Sequence, residues 1–242
     1  MTLLLLLLAF VQDPSPQSLW DDANRAYKEG RFSDASAQYE VLLGEGIHNG
    51  MLHFNLGNAY FKQSKVGPAV LHYLKARKYL PGNQDISDNL AMAMAKRKDA
   101  IEGEEEAFMS AYDSVLRRID YGTVFMLAAL FLILAGITLL WRIIRQETAR
   151  WLVYVLVISG VWGLLFGIGA SLQYRQMTRT DLGVLVAAKA EVRAGPATTE
   201  VVSFTIHEGV RCRILDKTEG WYRIGLANGY NGWVPQQAVT VI

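Results

Sequence analysis

YGTVFMLAALFLILAGITLLW (Tyr121–Trp141) and WLVYVLVISGVWGLLFGIGASLQY (Trp151–Tyr174) contain no charged residue, and only Arg142–Arg150 separates them. Each run matches the roughly 20 residues that a helix, rising about 1.5 Å per residue, needs to cross about 30 Å of hydrocarbon. In hydrocarbon the backbone must satisfy its own polar groups, so both runs are expected to be helical. Two crossings return the chain to the side it left. Whatever precedes Tyr121 and whatever follows Tyr174 therefore face one compartment.

The connecting loop carries Arg142, Arg145 and Arg150 against Glu147, which by the positive-inside rule places it in the cytoplasm and both flanks outside. Arg117 and Arg118 before the first run, and Arg175 and Arg179 after the second, narrow that bias. Leu3–Val11 is too short to span but has the length of a signal-peptide core. No Lys or Arg precedes it, so an uncleaved apolar terminus is the alternative; no Cys follows it, which excludes a lipoprotein anchor. The absence of acidic or basic residues from both runs argues against a proton path or ion channel. Gly163 and Gly167 form a GxxxG pair, extended by Ser159, Gly160 and Ala170, that is expected to pack on the first span, with a separate membrane protein as the alternative partner.

With Lys+Arg 24 against Asp+Glu 23 the chain offers no basic surface for nucleic acid. Cys212 is the only cysteine, so no internal disulfide forms, and it is expected as a buried strand residue.

The segment before the spans repeats at an interval of 34 residues: Ala23 with Gly57, Tyr27 with Phe61, Ala35 with Ala69, and Tyr39 with Tyr73. That is the tetratricopeptide period. Small residues let paired helices approach, the tyrosines fill the space between repeats, and Pro81 ends the second helix of the second pair. Leu56-Gly57-Asn58-Ala59-Tyr60, Ala69, Tyr73, Ala76 and Pro81 resemble the tetratricopeptide motif. Leu90-Ala91 continues the period, so Asp85–Ile101 is expected as a capping helix. Trp20, Asn24 and Tyr27, then Phe54, Asn58 and Phe61, are expected to line the concave groove, with Lys28 and Lys62 at its edge. Aromatic walls and amides suit a peptide, or equally a neighbouring protein surface. Asn24 and Asn55 match the asparagines of the carboxylate clamp of some tetratricopeptide proteins, but Trp20, Asp85 and Asn89 stand at its basic positions.

Glu102–Glu106 reads as an acidic linker, and Phe108, Tyr112, Val115, Leu116 and Ile119 recur at helical spacing. That helix suits either the bilayer surface or the underside of the repeats.

After Gln173 the chain turns to short β-prone runs, Gly183–Ala188, Val201–Ile206, Val210–Leu215, Trp221–Leu226 and Gly232–Val234, which predict a small all-β barrel. Glu191–Pro196, Glu208-Gly209, Gly220–Ile224 and Gly229–Pro235 resemble a bacterial SH3 domain in order and spacing. The resemblance implies a groove drawing on Arg193, Trp221, Tyr230 and Trp233; Trp221 and Trp233 suit the barrel core equally.

The expected architecture is thus a multi-domain membrane protein. It divides into a signal-like segment (1–12), an α-helical tetratricopeptide array (16–101), a linker with juxtamembrane helix (102–120) and a two-helix transmembrane hairpin (121–141 and 151–174, loop 142–150). A small SH3-like barrel (181–242) completes it. This order resembles the BatE proteins of the Bacteroides aerotolerance group, on Leu56–Tyr60, Asp88-Asn89-Leu90-Ala91, Glu191–Pro196 and Gly220–Pro235. The resemblance implies an accessory protein of a bacterial inner-membrane complex, with both soluble domains in the periplasm. Its implied partners are von Willebrand A-domain membrane proteins, a BatD-like protein and a cytoplasmic MoxR-type ATPase, with peptidoglycan as a further candidate.

No Walker A loop, HExxH, nucleophile elbow or CxxC occurs, and His48, His53, His72 and His207 lack partners at useful spacing. His53 and His72 are expected on helix surfaces. The expectation is a non-enzymatic scaffold without cofactor or metal, with a peptidoglycan-docking regulator of envelope remodelling as the alternative.

Overall fold

The computed structural model describes residues 15–99, 101, 121–146, 149–178 and 181–242. The signal-like segment and the 102–120 linker and juxtamembrane helix lie outside the described residues. Five helices build the array: α1 (Pro16–Lys28), α2 (Phe32–Gly44), α3 (Gly50–Lys62), α4 (Val66–Tyr79) and α5 (Gln84–Ala95).

The 34-residue period extends to the helix caps. Ser15, Asn49 and Asn83 accept from the backbone N–H of Ser18, Leu52 and Ile86, so each first helix starts on a side-chain cap of its own. The second helices differ, since neither Arg31 before α2 nor Lys65 before α4 provides such a cap. Ala23, Ala35, Ala59, Ala69 and Ala76 are fully buried, and around them Tyr39, Leu42, Leu52, Leu56 and Tyr73 close one continuous core. A Cβ on Gly57 would lie 2.8 Å from the Tyr73 ring, which is why a glycine stands there.

The two apolar runs form α6 (Tyr121–Arg145) and α7 (Arg150–Thr178), both long and apolar enough to cross a membrane. The first helix runs a turn beyond Trp141, so Arg142 and Arg145 belong to it rather than to a loop. The helices are antiparallel: Tyr121 meets Tyr174 at one end, and Phe131 stacks on Phe166 at 5.8 Å. Val124, Ala128 and Thr138 on α6 face Leu152, Ser159, Gly163 and Ala170 on α7, all buried. Their spacings, four and ten on α6 and seven, four and seven on α7, are sums of threes and fours and so keep one face of each helix on the other. Of the GxxxG pair only Gly163 is used there, its position pressed against Leu132, whereas space lies open beside Gly167. Ser159 and Thr138 return their hydroxyl protons to backbone carbonyls of their own helices. The outward faces carry Phe125, Leu130, Ile137, Leu140, Trp151 and Leu164, all exposed.

The barrel contains β1 (Leu182–Leu185), β2 (Lys189–Arg193), β3 (Val202–His207), β4 (Arg211–Thr218), β5 (Trp221–Gly225), β6 (Asn231–Pro235) and β7 (Val239–Val241), antiparallel in the order β3-β2-β6-β5-β4-β1-β7. Two of these strands, β2 and β7, were not among the β-prone runs of the sequence. The core is built on Leu185, Val192, Ile206, Ile224 and Val234. Cys212 is buried there with its thiol pushed up to about 12 by desolvation, as a structural thiol should be.

Array and barrel pack on one another. The Glu208 carboxylate accepts from the Gly67 backbone N–H at 2.7 Å, so the barrel supplies the cap that α4 lacks and places a negative charge at a helix N-terminus. Asp99, past the end of α5, accepts from the His207 backbone N–H at 2.6 Å and faces its Nδ1 at 3.0 Å, while Lys98 reaches Nε2. Val184 of β1 joins the array core, and Ile101 packs on the barrel core. A Cβ on Gly67 would stand 2.7 Å from the Leu185 carbonyl, and Gly209, at φ +83°, faces Arg97 and Val66.

Gly67→Ala therefore opposes two effects. It favours helix α4 itself by about 1 kcal/mol but drives a methyl into Leu185. We expect native far-UV circular dichroism together with faster amide hydrogen exchange at 184–186 and 207–209 in the full chain; unchanged exchange at those residues would refute the close-packed interface.

Candidate interaction surfaces

The first-helix face of the array is set by residues three and four apart, which share one side of a helix. It presents Trp20, Asn24 and Lys28 on α1; Phe54, Asn55, Asn58 and Lys62 on α3; and Asn89 and Met92 on α5, with Lys96 just past its end. Asn24 Oδ1 accepts from the Tyr39 hydroxyl at 2.7 Å and from Asn55 Nδ2 at 3.3 Å. One repeat later Asn58 Oδ1 accepts from the Tyr73 hydroxyl and from Asn89 Nδ2, both at 2.8 Å. The expected groove asparagines thus tie the repeats together through their carbonyls and keep only their amide N–H groups for a ligand. Trp20 sits edge-on to Tyr39 at 5.8 Å, and Phe54 is tilted against Tyr73 at 6.1 Å. Tyr27 meets Phe32 edge-on, and Phe61 lies under Lys96. All four aromatics are half-buried, anchored below and open above. Burial pushes the Tyr39 phenol up to about 12 and raises Tyr73 further, so both remain hydrogen-bond donors.

The barrel brings three of its four expected residues onto one sheet. Arg193 on β2 stands opposite Trp233 on β6, which stands opposite Arg223 on β5. Trp221 lies two residues along β5 from Arg223 and pairs with Pro235. Strand alternation puts this row on the face opposite to Val192, Ile224 and Val234. Trp221 and Trp233 are half-buried and lie outside the core, because the inward positions fall to their neighbours. Arg193 donates to the carbonyls of Thr198 and Glu200 at 2.8 and 2.6 Å and pairs with Glu191. Its guanidinium folds the 194–201 loop against β2. Tyr230 is 64% exposed, its ring 5.9 Å from Phe204, on the turn before β6. The β2–β3 ladder runs from Lys189 and His207 beside the array to Arg193 and Val202, so the aromatic row lies about 15 Å from the docking contacts and is left uncovered by them.

His53 and His72 correct the sequence reading. Both are buried, 3% and 8% exposed, with their Nδ1 atoms 3.1 Å apart. One Nδ1 donates and the other accepts, so the pair holds opposite tautomers. His48 and Tyr79 stack on His53, Tyr60 stacks on His72, and Tyr60 donates to Glu40. Desolvation lowers His53 to about 4, helped by Lys75 and His48; it lowers His72 to about 3, helped by His53 and Lys75. The signal in the sequence was the run Ala69–Leu74, whose only polar member is His72.

Residues 186–240 match the family of the bacterial SH3 domain, which agrees with the barrel's strands. A crystal structure of a tetratricopeptide-repeat protein from Bacteroides fragilis aligns over 68% of this chain and 76% of its own, at 11% identity and a TM-score of 0.30. No curated protein matches the chain in sequence.

Two outcomes follow from these contacts. Asn58→Ala strands the buried Tyr73 hydroxyl, and urea denaturation should show a loss of about 1–3 kcal/mol; an unchanged midpoint would mean that the hydroxyl finds another partner. The histidine pair is neutral when folded, with pKa values below the unfolded 6.5, so the unfolded chain binds more protons below that pH. Stability is whole above pH 6.5 and falls as pH drops toward about 4, by up to about 1.4 kcal/mol per pH unit for each histidine. Denaturation midpoints across pH 7 to 4 should show this slope, and His53→Leu with His72→Leu should flatten it.

Proposed function

We propose that the chain is a non-catalytic, membrane-anchored scaffold of a bacterial envelope complex, holding partner proteins through its tetratricopeptide array and SH3-like barrel. The observation that carries this reading is the docking of array and barrel on one another, with the groove and the aromatic row left open. The two α6–α7 crossings are what allow chain segments on either side of the hairpin to meet. The apolar outward faces of α6 and α7 support burial in lipid, since water would meet them on every side.

The arginines around the α6–α7 connection favour a cytoplasmic position for it and a periplasmic one for both soluble domains. The resemblance to BatE proteins suggests the partners, von Willebrand A-domain and BatD-like membrane proteins. A second reading, docking on peptidoglycan, is favoured by the bacterial SH3 match and by the outward Trp221, Trp233 and Tyr230.

Cysteine labelling tests the arrangement, because buried Cys212 is silent toward a thiol reagent. Ala37→Cys and Asn228→Cys should react with a membrane-impermeant maleimide in intact spheroplasts, and Gln146→Cys only after permeabilisation. If either soluble domain behaved like Gln146→Cys, the topology and the scaffold built on it would fall. The same membranes, extracted in mild detergent, should yield the von Willebrand A-domain and BatD-like proteins with the chain. Trp233→Ala with Tyr230→Ala should reduce that recovery or, on the second reading, sedimentation with purified sacculi instead.

A further inference from the structure

The lysines of the array follow its period. Lys28 ends α1, Lys62 ends α3, and Lys96 follows α5, at intervals of 34 residues. None of the three forms an ion pair among the described residues, and Lys96 is drawn over the Phe61 ring at 4.3 Å. By contrast, the neighbouring surface cations are paired, Arg25 with Asp22 and Arg31 with Glu29 and Asp34. Acidic residues of the same face, Asp21 and Asp88, sit toward the other end of their helices, each held by a glutamine. Among the described residues, one edge of the face is therefore positive and unneutralised.

The asparagines add a second feature. In each linked pair one amide is half used: Asn24 and Asn58 keep a free Nδ2 donor, and Asn55 and Asn89 keep a free Oδ1 acceptor among the described residues. A donor and an acceptor side by side are what one peptide unit of an extended chain requires. The arrangement recurs one repeat further on, with Phe54 between the two asparagine pairs.

We propose that the face of α1, α3 and α5 takes an extended, acidic segment of a partner protein, its backbone on the asparagine pairs and its carboxylates along Lys28, Lys62 and Lys96. This rests on the reading of the array as a protein-binding surface and specifies what it reads. Packed helices lie on the order of 10 Å apart, so successive lysines meet every third residue of a chain in the extended polyproline II form, which has about three residues per turn, rises about 3.1 Å per residue and turns every third side chain to one side. The segment thus carries carboxylates at i, i+3 and i+6.

Fluorescence anisotropy with the full chain in detergent micelles tests this, using labelled probes of about nine residues that favour polyproline II and are uncharged apart from Glu at three-residue intervals. Matched probes carry Gln or Lys instead. The Glu probe should bind about tenfold more tightly than the Gln probe, as expected for three exposed ion pairs, and added salt should remove the difference. Lys28→Gln, Lys62→Gln and Lys96→Gln together should abolish the preference while circular dichroism stays native. Equal binding of Glu and Gln probes would overturn the charge reading and leave the groove a protein site. A preference for the Lys probe would overturn the charge reading as well. Failure of all three probes, with partners still co-purifying, would overturn peptide binding by this face and move the scaffold role to the barrel.

Discussion

The contact between the Glu208 carboxylate and the open N-terminus of α4 joins residues 141 positions apart in the chain. Much of the architecture depends on it. The helix N-terminus offers unbonded N–H groups and a partial positive charge, and the barrel answers with one carboxylate. Only one helix of the array accepts this answer. The residue of α2 equivalent to Gly67 is Ser33, whose side chain would occupy the place of the Leu185 backbone. A single glycine therefore selects the second repeat as the docking site, and Asp99 and Lys98, gripping His207 from the end of α5, fix the orientation.

The contact bears on the hairpin too. Between its two partners lie α6 and α7, both long and apolar enough to cross a membrane. A single crossing would part Glu208 from Gly67 by a whole bilayer, so the docked state requires an even number. The seam of α6 and α7, with Gly163 fitted against Leu132, holds the two helices side by side. The ends that carry Tyr121 and Tyr174 are thereby kept together, and the array and barrel leave the hairpin near a common point.

What the sequence disclosed follows from locality. The 34-residue period was legible because a repeat must present the same small and aromatic residues to each neighbour, and Ala23, Gly57, Tyr39 and Tyr73 do so. The spans were legible because hydrocarbon tolerates no charge. The barrel showed through its turns, but β2, Lys189–Arg193, carries only Ala190 and Val192 inward among charged residues, and β7 is three residues long; neither has enough alternation to stand out. The histidine pair escaped because its members lie on different helices, where spacing along the chain says nothing of approach. The groove residues were placed on the right helices, yet Asn24 and Asn58 proved to be ties between repeats as well as surface groups. Arg193, expected beside a ligand, holds its own loop.

Departures from the repeat and adherence to it carry different information. Positions that keep the period through Tyr39 and Tyr73, or through the caps Ser15, Asn49 and Asn83, are those that packing and backbone satisfaction demand of every repeat. Positions that break it, such as Gly67 against Ser33, mark where the array meets something that is not another repeat. Lys28, Lys62 and Lys96 belong to neither group. A cation at a helix C-terminus gains a few tenths of a kcal/mol to about 1 kcal/mol from the macrodipole, and Arg serves as well as Lys for that. The macrodipole does not explain why these three cations lack acidic partners among the described residues when nearby Arg25 and Arg31 have theirs. Unpaired like charges held at a fixed interval repel one another, and that repulsion is relieved when an acidic chain lies across them.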